Sequence, residues 1–403
     1  MADGITRIAV EGFKSIANRQ QIEIAPLTIL AGANSSGKSS IMQPLLMLKQ
    51  TLEAQYDPGP LLIYGPNVKF TSTKQFLSRT EGGSPGQLLS LEIETGYREF
   101  DITFSKGAEQ GMEVLHETRK GPEGTTTLRE NMPSSDIPRE FGEFSSLIRD
   151  RFFLDLNAEN KRVSLMRWLT PLIIGTIHVP GLRGNPSRTH PVAAVGPTFP
   201  GTFENYTASV ILSWQKENSS RYEDLNVDLQ CIGLARNVFA HRVDDATIEL
   251  LVNRAEDYPN DMVSIADVGF GVSQTLPVLV ALRAAELGQL VYLEEPEIHL
   301  HPRAQVKLAD ILADAAKRGV RIVAETHSSL LLRAIQTLIA KGTLPPGLVC
   351  LHWFSRDNDG VTNVRSAAPD ENGAFGDWPE DFGDVALQSE KEYLDAVESK
   401  LAR

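Results

Sequence analysis

The sequence predicts an α/β fold, an open, mostly parallel sheet wrapped by helices, and three stretches carry that prediction. An apolar run at Leu27–Leu30 feeds a glycine-rich loop, and the helix-forming segment Ile41–Gln50 follows it. Late in the chain, Val291–Leu293 and Arg321–Ala324 are short apolar runs, each preceded by a helical pattern. Runs that are apolar without alternation suit strands buried on both faces, and strand–helix alternation is the mark of a parallel sheet. Residues from about 88 to 245 interrupt this pattern, so a site at the strand ends is assembled from both ends of the chain.

Taken in order, Thr6–Phe13 reads as a strand, Phe13-Lys14-Ser15 as a turn, and Gln21–Ile24 as a second strand. After the loop helix, Asp57–Asn67 is rich in turn residues and leads to Thr71–Phe76, which contains Gln75. Four segments between Leu88 and Arg129 show period-2 alternation with glycine-containing turns, an antiparallel meander. Pro138–Leu172 reads as helical, with Arg149, Arg151, Lys161, Arg162 and Arg167 on a solvated face. Val179–Thr198 is rich in proline and glycine, a loop or linker. Asn205–Asn218 and Asn226–Val243 return to helix, and Thr247–Val252 and Val263–Ala266 to strand. Val349–Phe354 is a late strand and Ala386–Leu401 a closing amphipathic helix. Four parts are expected: 1–136, with the meander; a mainly helical insertion, 137–244; 245–368; and a helical tail, 369–403.

The bulk numbers exclude some classes. A net charge of −13 opposes a surface coated for nucleic acid, although a local basic groove is compatible with it. Cys231 and Cys350 form no C-x-x-C pair, which fits a reducing cytoplasm. No stretch approaches the roughly 20 apolar residues that span a bilayer, and Arg283 and Glu286 break the best candidate, Thr275–Leu293. The first residues lack a signal-peptide core. A cytoplasmic protein with no membrane partner is expected.

The chemistry begins at Gly32-Ala33-Asn34-Ser35-Ser36-Gly37-Lys38-Ser39, which satisfies G-x-x-x-x-G-K-[ST] and is followed by Ser40. Such a loop turns backbone N–H groups and a helix N-terminus toward a polyphosphate. Lys38 would reach the β- and γ-phosphates and the Ser39 hydroxyl would ligate Mg2+, so a nucleoside triphosphate is the expected ligand. The second half supplies the rest. The strand Gln289–Leu293 ends in Glu294-Glu295-Pro296, and successive side chains alternate across a strand. Glu294 would hold the Mg2+ shell through water, and Glu295 would orient or deprotonate the attacking water. One strand later comes Glu325-Thr326-His327-Ser328, where His327 would bond the γ-phosphate and sense its loss. His299 and His301 have no cysteine partner and suit a turn that positions a neighbouring subunit better than a metal site.

Together these segments resemble an ABC-type ATPase, and among those the soluble SMC, RecF and OLD-like group, with VEGFKSI near the N-terminus as a further similarity. The likeness covers about residues 5–50 and 260–330, and is to small bacterial members that end without a nuclease domain. It implies a P-loop NTPase with an ABC-type head, with ATP as substrate and Mg2+ as cofactor. It also implies ATP-dependent dimerisation, each ATP lying between one subunit's phosphate loop and the other's signature loop. By position that loop is Asp267–Gln274, with Gly269, Gly271 and Ser273 as its candidates, and it departs from LSGGQ. Glu294 stands where Asp is usual, and Gln75 is a candidate for the Q-loop glutamine.

Two functions follow as expectations. One is an ATPase whose nucleotide state controls a protein partner encoded nearby, a nuclease or toxin, in phage defence. The alternative is a DNA-clamping or DNA-sensing ATPase in repair or recombination. The acidic balance favours the first and the SMC and RecF resemblance the second. A transporter subunit would need the LSGGQ signature that is missing.

Overall fold

The computed structural model describes residues 4–79, 86–108, 111–122, 124–130, 132–133, 136–137, 146–158, 161–163, 168–253, 261–376, 391–395 and 397. Strands β1 (Arg7–Glu11), β2 (Gln20–Glu23) and β3 (Leu27–Gly32) lead into helix α1 (Lys38–Glu53). The meander follows as β4 (Leu88–Glu94), β5 (Glu99–Lys106), β6 (Met112–Gly121) and β7 (Gly124–Leu128). It joins the first two strands in one antiparallel sheet of order β2-β1-β4-β5-β6-β7.

The next segment corrects the sequence reading. Over 138–172 the chain forms β8 (Ser146–Asp150), β9 (Phe153–Ala158), β10 (Lys161–Val163) and only then a short helix, α2 (Leu169–Ile174). Phe152–Leu156 are all buried, a short continuous run of the kind a strand covered on both faces shows, in a window whose charges simulate a helical face. Nor do the arginines form a solvated helix face. Arg149 pairs with Asp57 at 3.2 Å, and Arg151 donates to Thr51 O at 3.0 Å and Ala54 O at 2.9 Å. Those carbonyls end α1, where a cation is favourable. Arg167 lies outside the described residues.

After β11 (Ile177–Val179) and β12 (Thr189–Pro191) come α3 (Thr207–Lys216), α4 (Ser220–Cys231), β13 (Asn237–Arg242), β14 (Thr247–Asn253) and β15 (Met262–Ser264). The helix expected over 226–243 stops early, at α4, and continues as β13. Gly233 takes φ +70°, and the bonds Gly233 N to Gln230 O and Leu234 N to Leu229 O close a Schellman cap there. The last part runs α5 (Phe270–Ala284), β16 (Leu290–Glu294), α6 (Pro302–Lys317), β17 (Arg321–Thr326), α7 (Ser329–Ala340), β18 (Val349–Arg356) and β19 (Thr362–Ala367). Most of the helix expected over 386–401 lies outside the described residues, and 391–395 are helical. Among the described residues no helix is long and apolar enough to cross a membrane.

The central sheet has the order β11-β16-β17-β3-β18-β19. Its first five strands run parallel and β19 returns antiparallel. Side-chain alternation divides the core in two. Leu27, Ile29 and Ala31 face one cluster with Val291, Leu293 and helices α3–α7. Leu30, Tyr292 and Val323 face the other, with α1 and the meander. Because the five strands are parallel, β3, β16 and β17 end at one edge, and β17 lies between the other two.

Candidate active site

The glycine loop is shaped before any ligand is considered. Gly32 has φ +146° and Gly37 φ +106°. A Cβ on Gly32 would stand 2.2 Å from Phe354 O, and one on Gly37 2.4 Å from Thr362 Oγ1. Only glycine fits at either position. Lys38 Nζ arches over the loop and donates to Gly32 O at 3.1 Å and Ala33 O at 3.0 Å. Burial lowers its ammonium from the ordinary value, against the opposing pull of Glu325, Glu295 and Glu297. Asn34 and Ser35 are exposed at the tip, Ser35 with φ +61°. Ser36 Oγ is buried with no hydrogen-bond partner, and Ser40 N closes the first turn on Gly37 O at 3.0 Å.

Three adjacent strand ends bring the carboxylates in. Glu294 and Glu325 are register partners, and Glu325 stands beside Leu30 of β3. The Ser39 hydroxyl donates to Glu325 Oε2 at 2.8 Å, and the Tyr292 hydroxyl donates to Glu325 Oε1. Burial first, and the neighbouring Glu294 charge second, raise the Glu325 carboxyl to about 7. Glu294 has other partners: His178 Nε2 at 3.0 Å and Gly181 N at 3.0 Å. Burial works to raise Glu294, but those two bonds hold it below the usual carboxylate range.

Glu295 turns away from the strand. Its φ is +43°, an uncommon conformation for a non-glycine residue, and its N–H donates to Glu325 O at 3.0 Å. Its carboxylate is 3.8 Å from His327 Nε2 and 41% exposed. Burial and Lys38 lower the His327 imidazole, opposed by Glu295. Glu297 joins the two turns, accepting from Thr326 Oγ1 at 2.5 Å and His327 N at 3.1 Å. So Lys38, Ser39, Glu294, Glu295 and His327 gather at one sheet edge.

The signature candidates sit at the start of α5. Gly269 caps α5 at its start and has open space where a Cβ would stand, whereas one on Gly271 would meet His299 O and Leu234 Cδ2 at 3.4 Å. The Ser273 hydroxyl donates to Phe270 O at 3.2 Å. Phe270 is half exposed, with its ring 5.6 Å from that of His299. Gln75 accepts from Thr71 N at 2.7 Å, which ties its amide to its own turn. His301 caps α6 through Arg303 N at 3.3 Å. Among the described residues no group of three or more His, Cys, Asp or Glu could hold a metal.

Sequence reasoning left four site residues without a role: Lys14, His178, Arg183 and Glu325. Lys14, of the VEGFKSI turn, has φ +50° and donates to Gln43 Oε1 at 2.7 Å. Burial lowers its ammonium, against the fields of Glu294 and Glu325. The His178 ring stacks on Tyr292 at 5.3 Å, and its Nδ1 lies 3.0 Å from Asn67 Nδ2. An accepting Nδ1 leaves Nε2–H to donate to Glu294. Arg183 is buried and donates to Gln274 O at 2.9 Å, Glu294 O at 2.8 Å and Glu295 O at 3.4 Å. Burial pushes its guanidinium down to about 10. It thereby connects α5, which carries the signature candidates, to the turn that carries the acids. Only the Gly-Leu-Arg-Gly spelling at 181–184 signalled it.

Comparison with known proteins agrees with this geometry. Residues 4–131 match a family profile described as "AAA ATPase domain". Residues 240–333 match one described as "AAA domain, putative AbiEii toxin, Type IV TA system". No curated protein matches the chain. Among solved structures, an SMC head bound to the C-winged helix domain of ScpA aligns at 12% identity, covering 91% of this chain and 98% of that one, with a TM-score of 0.51. An SMC head domain from Thermotoga maritima aligns at 11% identity over 90% of this chain and 98% of that one, TM-score 0.42. One with an extended coiled coil, derived from Pyrococcus furiosus, aligns at 11% over 98% and 99%, TM-score 0.46. The fold is that of a P-loop ABC-type head, and the two stretches that match AAA profiles are those that carry the glycine loop and the paired acids, so the chain resembles the ATPases of the SMC/RecF-like group.

Proposed function

We propose that the chain binds Mg2+·ATP in the loop 32–40, hydrolyses it at an interface between two copies, and uses the nucleotide state to control a protein partner. The observation that carries this reading is the convergence of Lys38 and Ser39 with Glu294, Glu295 and His327 at the ends of three adjacent parallel strands. Backbone N–H groups of 33–39, the Ser36 hydroxyl and Lys38 would hold the phosphates. Lys38 would exchange its two loop carbonyls for phosphate oxygens.

The residues present fit Mg2+. A hydroxyl, the buried carboxylate of Glu325 and the partly exposed one of Glu294 are hard oxygen donors, and Mg2+ on a nucleotide uses one or two carboxylates plus phosphate and water rather than an all-protein cage. Ser39 and Glu294 would hold the ion, which neutralises charge on the β- and γ-phosphates when bound. Glu295, at the exposed side of the turn, would accept a proton from a water whose oxygen attacks the γ-phosphorus in line. The bond from that phosphorus to ADP breaks, giving ADP and phosphate. His327 would bond the γ-phosphate. Gly269, Gly271 and Ser273 would complete the site of a second copy, and Gln75 would follow the nucleotide through its turn.

Control of a protein partner is supported by the acidic chain, net −13, and by the toxin-system wording of the second profile. The SMC head of the first alignment is itself bound to part of ScpA. A bacterial role in phage defence, with a nuclease or toxin encoded nearby as the partner, is the setting we propose. The test is sedimentation of the full chain with and without Mg2+·ATP, beside a gel shift on DNA over a salt series. ATP-dependent association without a salt-dependent shift is expected. A shift that strengthens with ATP would replace the partner reading with DNA clamping.

A further inference from the structure

The Ser39 hydroxyl and the carboxylate of Glu325 come from opposite ends of the chain and meet at 2.8 Å in a buried place. We propose that Glu325 is a second carboxylate of the Mg2+ centre, the one that shares the ion with Ser39. This rests on the nucleotide-site reading above and adds to it a ligand outside the strand that ends in the paired acids.

Four observations support it. The separation of Ser39 Oγ and Glu325 Oε2, 2.8 Å, is close to the edge of about 2.9 Å between neighbouring ligands of an octahedron with metal–oxygen bonds of roughly 2.0–2.1 Å. Two oxygens so placed can both face one ion once the Ser39 O–H rotates its proton away from Glu325, the hydroxyl staying neutral. Glu294, by contrast, already has both oxygens engaged, one by His178 and one by Gly181 N, an arrangement that suits contact through water. Glu325 is also aimed, because Tyr292 holds its other oxygen, and Tyr292 is itself fully buried and stacked on His178. Finally, the register fixes Glu325 on β17 directly between Glu294 on β16 and Leu30 on β3, so its backbone cannot drift from the loop. A buried carboxylate beside another one is costly without a cation. Neither ammonium that feels its charge is bonded to it: Lys38 is turned to the loop carbonyls and Lys14 to Gln43.

The test uses Mn2+ as the probe, the full chain, and AMP-PNP as a nucleotide that is not consumed. Bound Mn2+ is read by EPR, and nucleotide binding without metal by calorimetry in EDTA. Glu325→Gln keeps an acceptor for one of the two hydroxyls, turns an N–H donor to the other, and loses the charge. It should weaken Mn2+ at the nucleotide complex by at least about tenfold while changing metal-free nucleotide affinity less than about twofold. Glu325→Asp, which keeps the charge but withdraws it by one methylene, should lose Mn2+ affinity in the same direction and serves if the Gln variant does not fold. Unchanged Mn2+ affinity in either folded variant overturns the proposal. So does an equal loss with and without metal, which would make Glu325 a brace for Ser39 alone. If the unaltered chain binds no nucleotide in either condition, the nucleotide-site reading fails and the proposal with it.

Discussion

The two glycine-bearing loops of this molecule are built in opposite ways. In the loop of 32–40 a side chain on either glycine would collide with β18 or β19. In the segment before and at the start of α5, Gly269 has open space around it, Gly271 is in ordinary contact only, and Phe270 is half exposed. A loop whose glycines are required by its own fold is complete in one copy. A loop whose glycines face open space leaves room for something else to approach closely. Half of the proposed site is therefore finished, and half is presented outward.

Four experiments bear on that contrast. The largest effect belongs to the finished half: Lys38→Ala should weaken ATP binding by more than about a hundredfold, because it removes the cation from a loop otherwise built of backbone dipoles. Calorimetry on folded protein checks it, and near-normal affinity would refute the phosphate-binding role. Next comes Glu295→Gln, for which turnover should fall about 10²–10⁴-fold while ATP binding persists or tightens, since a charge facing the γ-phosphate is removed. Single-turnover hydrolysis against Glu294→Gln separates the two acids. If the Glu294 variant traps ATP and the Glu295 variant hydrolyses it, their roles are reversed.

The outward half is probed by Gly271→Arg, which should leave ATP affinity within about twofold but abolish ATP-dependent association and most hydrolysis. Normal hydrolysis by a monomeric Gly271→Arg would remove the shared-site mechanism. The smallest effect concerns the link between the halves. Arg183→Lys keeps a charge but cannot reach the carbonyls of both α5 and the acid turn at once. Hydrolysis should fall by roughly tenfold, the lower range for losing a positioning contact, with KM for ATP nearly unchanged. A rise in KM with normal kcat would instead place Arg183 in nucleotide binding.

What was legible in the sequence follows the range of the interactions. The glycine loop, the strand of paired acids and the ETHS turn are local signals, and the strands that carry them formed where the apolar runs stood. The meander was legible because its turns are short and its alternation regular. His178, Arg183 and Glu325 were not. His178 acts through β11, an edge strand reached from the interrupting segment, and no spacing in the sequence relates it to Glu294. Glu325 was in plain view, but its role depends on a register that brings it to Ser39 across nearly the whole chain. The misread of 138–172 has another cause, since the short, mostly apolar run at Phe152–Leu156 was outweighed by a scatter of charges suited to a helix surface. At 226–243 a single glycine in a left-handed conformation ended a helix that composition alone would continue.

Thr362 has a practical consequence for anyone who shortens this protein. Its N–H donates to Ser15 O at 2.7 Å, and its hydroxyl lies 2.8 Å from both Ser15 Oγ and Ser36 O. One threonine on β19 thus rivets the N-terminal turn to the tip of the nucleotide loop, although every recognisable motif ends by Ser328. A chain cut back after α7 would keep all of those motifs and lose the rivet, along with the two strands that flank β3 on that side. Such a fragment should purify with its signature residues intact and its loop slack, so an inactive truncation would say nothing about the chemistry of the residues it retains.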